Sequence, residues 1–426
     1  MSNVNARTAV HHRKPVCRLC AAGVAGALIQ LTLPVATAAR IQGDECPMSA
    51  DWELHDSTAL VAAMTANGLL GAWDLDPQQP ATGLLVRECE FETLFMATLW
   101  VGARISGEVH VSTGHDGWYS DREIRPLRDE QELQRHAYPA DLAFGTRLAD
   151  RFDGCEGAYE SHRPMRISVD MATIGPADPD AEFLLLAYRI TNRSEQVLQD
   201  TYVGLYWDGD VGPTPETLNE AAANASDDVA GSRTIDDGRG GETLLAFIAD
   251  GVQTGSYGDD TLVPVGIGVT RLSFVQDPYA WSSHCNWWIS DPVPDRDWGP
   301  GLPFPDGVDG TPLGDANKYR VLGNWAAEPP DPDLLDLSDP SDARFLLSHR
   351  IADLAPGESE IVIWAVVAAD VWIEGEFVTA NLQAAVLEAR DYAERLSVGE
   401  SDTPVRGGFS IHAPVPLSES IEDDPM

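Results

Sequence analysis

The stretch from Glu182 to Trp207 constrains this fold more than any other part of the chain. Phe183 to Ile190 is apolar on both faces, the pattern of a strand buried in the middle of a sheet. Asn192-Arg193-Ser194-Glu195 supplies a turn. Val197, Thr201, Val203, Leu205 and Trp207 then share one face of a second strand, with Asp200 and Tyr202 opposite. Two strands joined by a short polar turn pair antiparallel. The same period recurs along the chain. Leu94–Arg104 runs apolar into a turn at Ile105-Ser106-Gly107-Glu108 and returns through Val109–Ser112, a hairpin. Met165, Ile167 and Val169 alternate, and further strands are expected over Thr243–Ala249, Val263–Val275, Arg344–Arg350 and Glu358–Ala369. Helical periods do not separate them, so the expected class is mainly β. We read an antiparallel β-sandwich body over residues 90–372, either whole or as two packed β-subdomains divided near residue 165.

Helices are expected only at the margins. Asp56-Ser57 caps a short helix through Ala59, Leu60, Ala63 and Met64 that Gly68 would end, within a lead-in over residues 39–89. Val378, Leu382, Ala385, Val386, Ala389, Ala393 and Leu396 form one apolar stripe, which predicts a C-terminal amphipathic helix over about 376–397, in the segment 373–398. Residues 399–426 are polar and acidic and read as a disordered tail.

The first 38 residues differ in composition from the rest. Arg7, Arg13, Lys14 and Arg18 precede an apolar run from Cys20 to Val35, and Ala36-Thr37-Ala38 offers a small-residue cleavage site. This is the layout of a secretory signal peptide, cleaved near Ala38 or Ala39. The expected location is the periplasm or the outside of the cell. No later stretch is long and apolar enough to span a bilayer. Cleavage leaves four cysteines, Cys46, Cys89, Cys155 and Cys285. An even number in an exported chain reads as disulfides, with three connectivities open. No C-x-x-C spacing supports zinc or redox chemistry.

Charge narrows the partners. Asp and Glu total 68 against 28 Lys and Arg, a formal net charge of −40. A surface this anionic excludes nucleic acid and anionic membranes, which both need a basic footprint. It attracts cations instead. Two long insertions concentrate the acids. Residues 208–242 carry nine acidic residues, and residues 291–342 carry twelve with ten prolines. Loops this long inside a compact body tend to be functional. Asp208, Asp210, Asp227 and Asp228 in the first, and Asp306, Asp309 and Asp315 in the second, are candidate Ca²⁺ ligands, because calcium takes six to eight hard oxygens. A solvated acidic loop explains the same residues. Trp281, Trp287 and Trp288 are candidate glycan ligands, since an indole face stacks on the apolar face of a pyranose. Burial over the core under a long loop, beside Cys285, is the competing explanation.

Three stretches carry a family resemblance. Thr98-Leu99-Trp100-Val101-Gly102-Ala103 followed by Ile105-Ser106-Gly107-Glu108, the hairpin over Glu182–Gly212, and Leu354-Ala355-Pro356-Gly357-Glu358-Ser359 together resemble a family of secreted bacterial β-sandwich proteins without established activity. Ala103 stands where that family usually has glycine. The resemblance implies export and a β-sandwich body, and it carries over no catalytic residue. The chain has no G-x-S-x-G elbow and no ordered Ser/His/Asp signature. The expectation is therefore a binding or structural module with cation- or glycan-binding loops, whose partner is a glycan or another cell-surface component. The alternative is a carbohydrate-active enzyme, a glycoside hydrolase or lyase, using carboxylates of the long insertions.

Overall fold

The strands alternate inward and outward side chains closely enough to build two facing sheets, and the computed structural model has that arrangement. It describes residues 49–71, 83–86, 91–115, 122–127, 131–137, 141–151, 163–214, 225, 227–251, 262–272, 283–289, 312–323 and 342–398. In chain order the strands are β1 (Trp52–His55), β2 (Leu60–Thr65), β3 (Leu84–Val86), β4 (Phe91–Glu92), β5 (Met96–Ile105), β6 (Glu108–Thr113), β7 (Arg125–Pro126), β8 (Gln134–Ala137), β9 (Asp141–Ala149), β10 (Ile167–Pro176) and β11 (Phe183–Asn192). They continue with β12 (Gln199–Asp208), β13 (Gly212–Pro213), β14 (Asp228–Asp236), β15 (Glu242–Asp250), β16 (Val265–Leu272), β17 (Ser283–Ile289), β18 (Ala343–Arg350), β19 (Ser359–Asp370), β20 (Trp372–Ile373) and β21 (Glu376–Phe377). Helix α1 spans Gly314–Gly323 and helix α2 spans Ala380–Val398.

The larger sheet runs β14-β15-β16-β19-β11-β10-β9-β7, with β8 also on β9. The smaller runs β17-β18-β12-β5-β6. All the recorded pairings are antiparallel, as expected. The main core lies between these two sheets. Leu184, Leu186, Tyr188 and Ile190 of β11 face Val203, Leu205 and Trp207 of β12 across it, with Leu99 and Val101 of β5. The opposite side chains of β11, Phe183, Leu185 and Ala187, enter a second core beneath α2. Both faces of β11 are thus buried, which is why its sequence is apolar throughout. In α2, Leu382, Ala385, Val386, Ala389 and Ala393 are the buried stripe expected of it. The first turn of the helix from Ala380 is closed by the Thr379 carbonyl, which accepts from Gln383 N–H, and the preceding Phe377 belongs to the β20–β21 ribbon. A third core lies on the outer face of the smaller sheet, where Tyr319, Val321 and Leu322 of α1 meet Trp100, Tyr202, Tyr206 and Leu346. The order of layers is therefore α1, smaller sheet, larger sheet, α2.

Glycines set the seat of α1. A Cβ on Gly102 would lie 2.8 Å from Leu322 Cδ1, and one on Gly204 would lie 2.7 Å from Leu322 Cδ2. The two glycines sit on adjacent strands, β5 and β12, and leave a flat patch for that leucine.

Several expectations need correction. The segment read as a capped helix is a strand: Leu60–Thr65 pairs with β1 and β3 in a sheet of order β1-β2-β3-β4-β13. Its Ala and Met residues favour a helix in isolation, but burial on nearly every side and a partner strand on each edge override that preference. Val197 does not enter the core. The pairing of β12 with β5 shifts register between Gln199 and Tyr202, Asp200 takes φ 45°, and Leu198 is buried in its place. The stretch 114–164, to which no strand was assigned above, contains β7, β8 and β9, and the two insertions contain β14 and α1. Cys285 is a free thiol in the main core, bonded to Ser232, so the expected disulfide does not form there. Cys46, Cys89 and Cys155 lie outside the described residues, as do the expected signal segment and acidic tail. Among the described residues no helix is long and apolar enough to cross a membrane.

Candidate functional site

Antiparallel alternation places the even-numbered residues of β12 and β18 on the outer face of the smaller sheet, so Tyr206, Asp208 and Arg344 share that face. Asp208 and Arg344 are register partners. Arg344 Nε donates to Asp208 Oδ1 at 3.1 Å, and its Nη2 donates to both oxygens of Asp342 at 3.0 and 2.9 Å. Tyr206 donates its hydroxyl to Asp208 Oδ2 at 3.1 Å. The Tyr206 ring stacks on Trp100 at 5.8 Å between centroids and 4° between planes, and Trp100 Nε1 donates to the His115 carbonyl at 2.8 Å.

More carboxyls surround this pair. Glu92 of β4 accepts from the backbone N–H of Gly83 at 2.8 Å, and β4 pairs with Gly212, two residues after Asp210. Both oxygens of Asp228 accept from the Val211 N–H at 3.2 Å. Asp250 is the register partner of Asp228 and accepts from Val263 N–H. Glu92, Asp208, Asp227, Asp228 and Asp250 are buried, while Asp210 and Asp342 are half-buried.

Burial of so many like charges favours protonation. Desolvation pushes Glu92 up to about 7, against the opposing Gly83 bond. It raises Asp208 to about 6, even though Arg344 holds it down. Asp210 rises well above the usual carboxylate range, first from burial and then from Asp208, Asp342 and Glu92. Asp228 does the same, from burial and then Asp210. Burial works against the charge on Arg344, but Asp208 and Asp342 win and hold its guanidinium protonated.

The structure therefore brings Asp208, Asp210, Asp227 and Asp228 to one region, where sequence spacing placed them. Asp208 is committed to Arg344 and Tyr206, and Asp228 to backbone. Among the described residues no three Asp, Glu, His or Cys side chains are placed to hold one metal ion. Asp315 sits apart, in the first turn of α1, where it accepts from Arg163 at 2.9 Å. Asp306, Asp309 and Trp281 lie outside the described residues. Trp287 and Trp288 lie on β17, the edge strand of the smaller sheet, and Trp288 is the register partner of Arg344. Sequence reasoning missed Arg344, Tyr206, Trp100, Glu92, Asp250 and Asp342 as site members. The available signal was Arg344 itself, a charge immediately before the apolar run Phe345-Leu346-Leu347.

A second polar group lies between the sheets. His349 Nδ1 bonds Ser283 Oγ at 3.0 Å, and its Nε2 contacts Arg271. Burial and then Arg271 lower His349 to about 2, which disfavours its protonated form beside Ser283.

No protein-family model and no curated protein matches the chain. Solved structures with some likeness include a galactose mutarotase-like protein from Lactobacillus casei ATCC 334, at TM-score 0.33 and 9% identity over 75% of this chain and 100% of that one. An aldose epimerase homologue from C. elegans has TM-score 0.31 and 8% identity over 75% and 99%. A polysaccharide lyase has TM-score 0.23 and 12% identity over 80% of this chain and 35% of its own.

Proposed function

We propose that this chain is an exported β-sandwich that binds neutral glycan along the edge of its smaller sheet. One observation carries the reading: the strand with Trp287 and Trp288 runs directly beside Arg344 and its aspartates. Aromatic residues on a strand next to fixed Arg and Asp hydrogen-bonding groups are a composition that small-molecule sites use. Glu92, Asp208, Asp228, Asp250 and Asp342 are bonded to Arg344, to Tyr206 or to backbone N–H groups, which suits a fixed scaffold. Affinity electrophoresis of the full chain through gels containing neutral polysaccharides tests this. Retardation by at least one polymer, abolished by Trp288→Ala, is expected. No retardation on any neutral polymer, or retardation indifferent to that substitution, defeats the reading.

A second reading, a carbohydrate-active enzyme, draws on Glu92. A carboxyl that keeps its proton to about pH 7 is suited to donate it to a leaving oxygen. Release of reducing ends or unsaturated products from a polysaccharide, lost in Glu92→Gln, would establish it. Binding without turnover would leave the first reading in place.

A further inference from the structure

The corner around Arg344 has an unequal hydrogen-bond inventory. Nε and Nη2 are engaged by Asp208 and Asp342. Nη1 is buried and has no hydrogen-bond partner, on a side chain only 4% exposed. Buried donors in folded proteins are almost always satisfied, so an open one at the centre of a polar cluster points to a ligand. Asp210 complements it. Its carboxylate is half-buried and makes no hydrogen bond or ion pair with the described residues, while its charge is felt by Asp228 and it in turn feels Arg344. Asp210 and Asp342 are the two half-buried members, and they mark the side of the corner nearest solvent.

Charge decides the class of ligand. A cation entering here meets the guanidinium, which Asp208 and Asp342 hold charged. An anion meets Asp208 and Asp342, which already pair with the guanidinium. A neutral hydroxyl is suited to both neighbours, because its oxygen accepts from Nη1 and its proton goes to a carboxylate oxygen. We propose that Arg344 Nη1 and Asp210 form a hydroxyl-reading subsite that takes two neighbouring hydroxyls of an uncharged sugar. This rests on the glycan reading above and deepens it, since it assigns specificity to residues other than the tryptophans.

The test is ligand-detected NMR titration of the full chain with neutral methyl glycosides, each paired with a deoxy analogue lacking one of two adjacent hydroxyls. Calcium chloride alone and glucuronate serve as charged probes. The wild type is expected to bind at least one neutral glycoside and to lose about tenfold or more in affinity for its deoxy partner. Arg344→Lys keeps the positive charge but lacks the fork, and is expected to bind both partners equally weakly. Asp210→Asn provides a second variant should Arg344→Lys fail to fold, and it is expected to weaken the same discrimination. Discrimination unchanged in both variants, with binding still lost in Trp288→Ala, would overturn the subsite and leave the glycan reading standing. No binding of any neutral glycoside by the wild type, or binding of calcium or glucuronate alone, would overturn the subsite as well. Failure on the monosaccharides together with failure on the polysaccharide gels removes both proposals.

Discussion

Glu92 of β4 is buried with a single backbone donor, and its protonation is tied to folding. In the folded chain it holds its proton to about pH 7, whereas its ordinary value is 4.5. Between those values the folded state binds a proton that the unfolded state has released. The stability from this group is complete below pH 4.5 and is lost as pH rises through 7. Asp208, raised to about 6, acts in the same direction, as do Asp210 and Asp228. Buried histidines oppose them at lower pH. Burial lowers His55 and His284 to about 4 and His349 to about 2, from 6.5. Their contribution is complete above 6.5 and is lost as pH falls. Above 6.5 the carboxyls act alone, so stability should decline from there toward pH 8. Glu92→Gln keeps an acceptor for Gly83 and cannot ionise. It should stabilise by up to about 3 kcal/mol at pH 8 and by almost nothing at pH 4.5. Thermal unfolding at both values checks this, and an equal shift at both would refute the assignment of the pH dependence to Glu92.

At the scale of elements, the glycines of the two family-like hairpins have a packing reason. Gly102 and Gly204 make room for Leu322, so they hold α1 against the smaller sheet. Valine suits a strand backbone better than glycine does, so strand preference alone predicts that Gly204→Val is harmless. The structure predicts otherwise. The added side chain meets Leu322 and Leu346 at under 3 Å and should cost about 1–3 kcal/mol by overpacking. Hydrogen exchange at Tyr319–Leu322 should quicken more than exchange in β11, and unchanged protection in α1 would show that the seat lies elsewhere. The elements legible in the sequence were those whose period matched one simple environment. The doubly apolar β11, the hairpin turning at Ser106 and Gly107 with φ 53° and 90°, and the stripe of α2 are of that kind. β2 was misread because helix preference and burial on both faces look alike over six residues. β14 and β17 were hidden in polar surroundings, and the bulge at Asp200 reversed the parity that Val197 and Leu198 depend on. The site divides the same way. Asp208, Asp210, Asp227 and Asp228 stand near one another in sequence and were found together. Arg344 stands 136 positions from Asp208, and only the strand order brings them side by side.

At the scale of the whole chain, 68 acids face 28 Lys and Arg, and their mutual repulsion opposes compaction. The described acids respond to salt in two ways. Exposed ones are screened, because the Debye length shrinks from about 30 Å at 0.01 M to about 10 Å at 0.1 M. Those around Arg344 lie in the interior, where screening is weak, and their charge is relieved by protons and by one guanidinium. Raising ionic strength should therefore increase the melting temperature through the surface alone. Among the described residues no three carboxyls gather to one ion. A real calcium centre would add RT ln(1 + [L]/Kd), about 2.7 kcal/mol at a hundredfold excess over Kd, beyond any screening effect. Melting series in NaCl, MgCl₂ and CaCl₂ at matched ionic strength separate the two. Equal shifts in all three salts are expected. An increment unique to calcium that disappears in Asp208→Asn would place a metal among these carboxyls and displace the role given to Arg344.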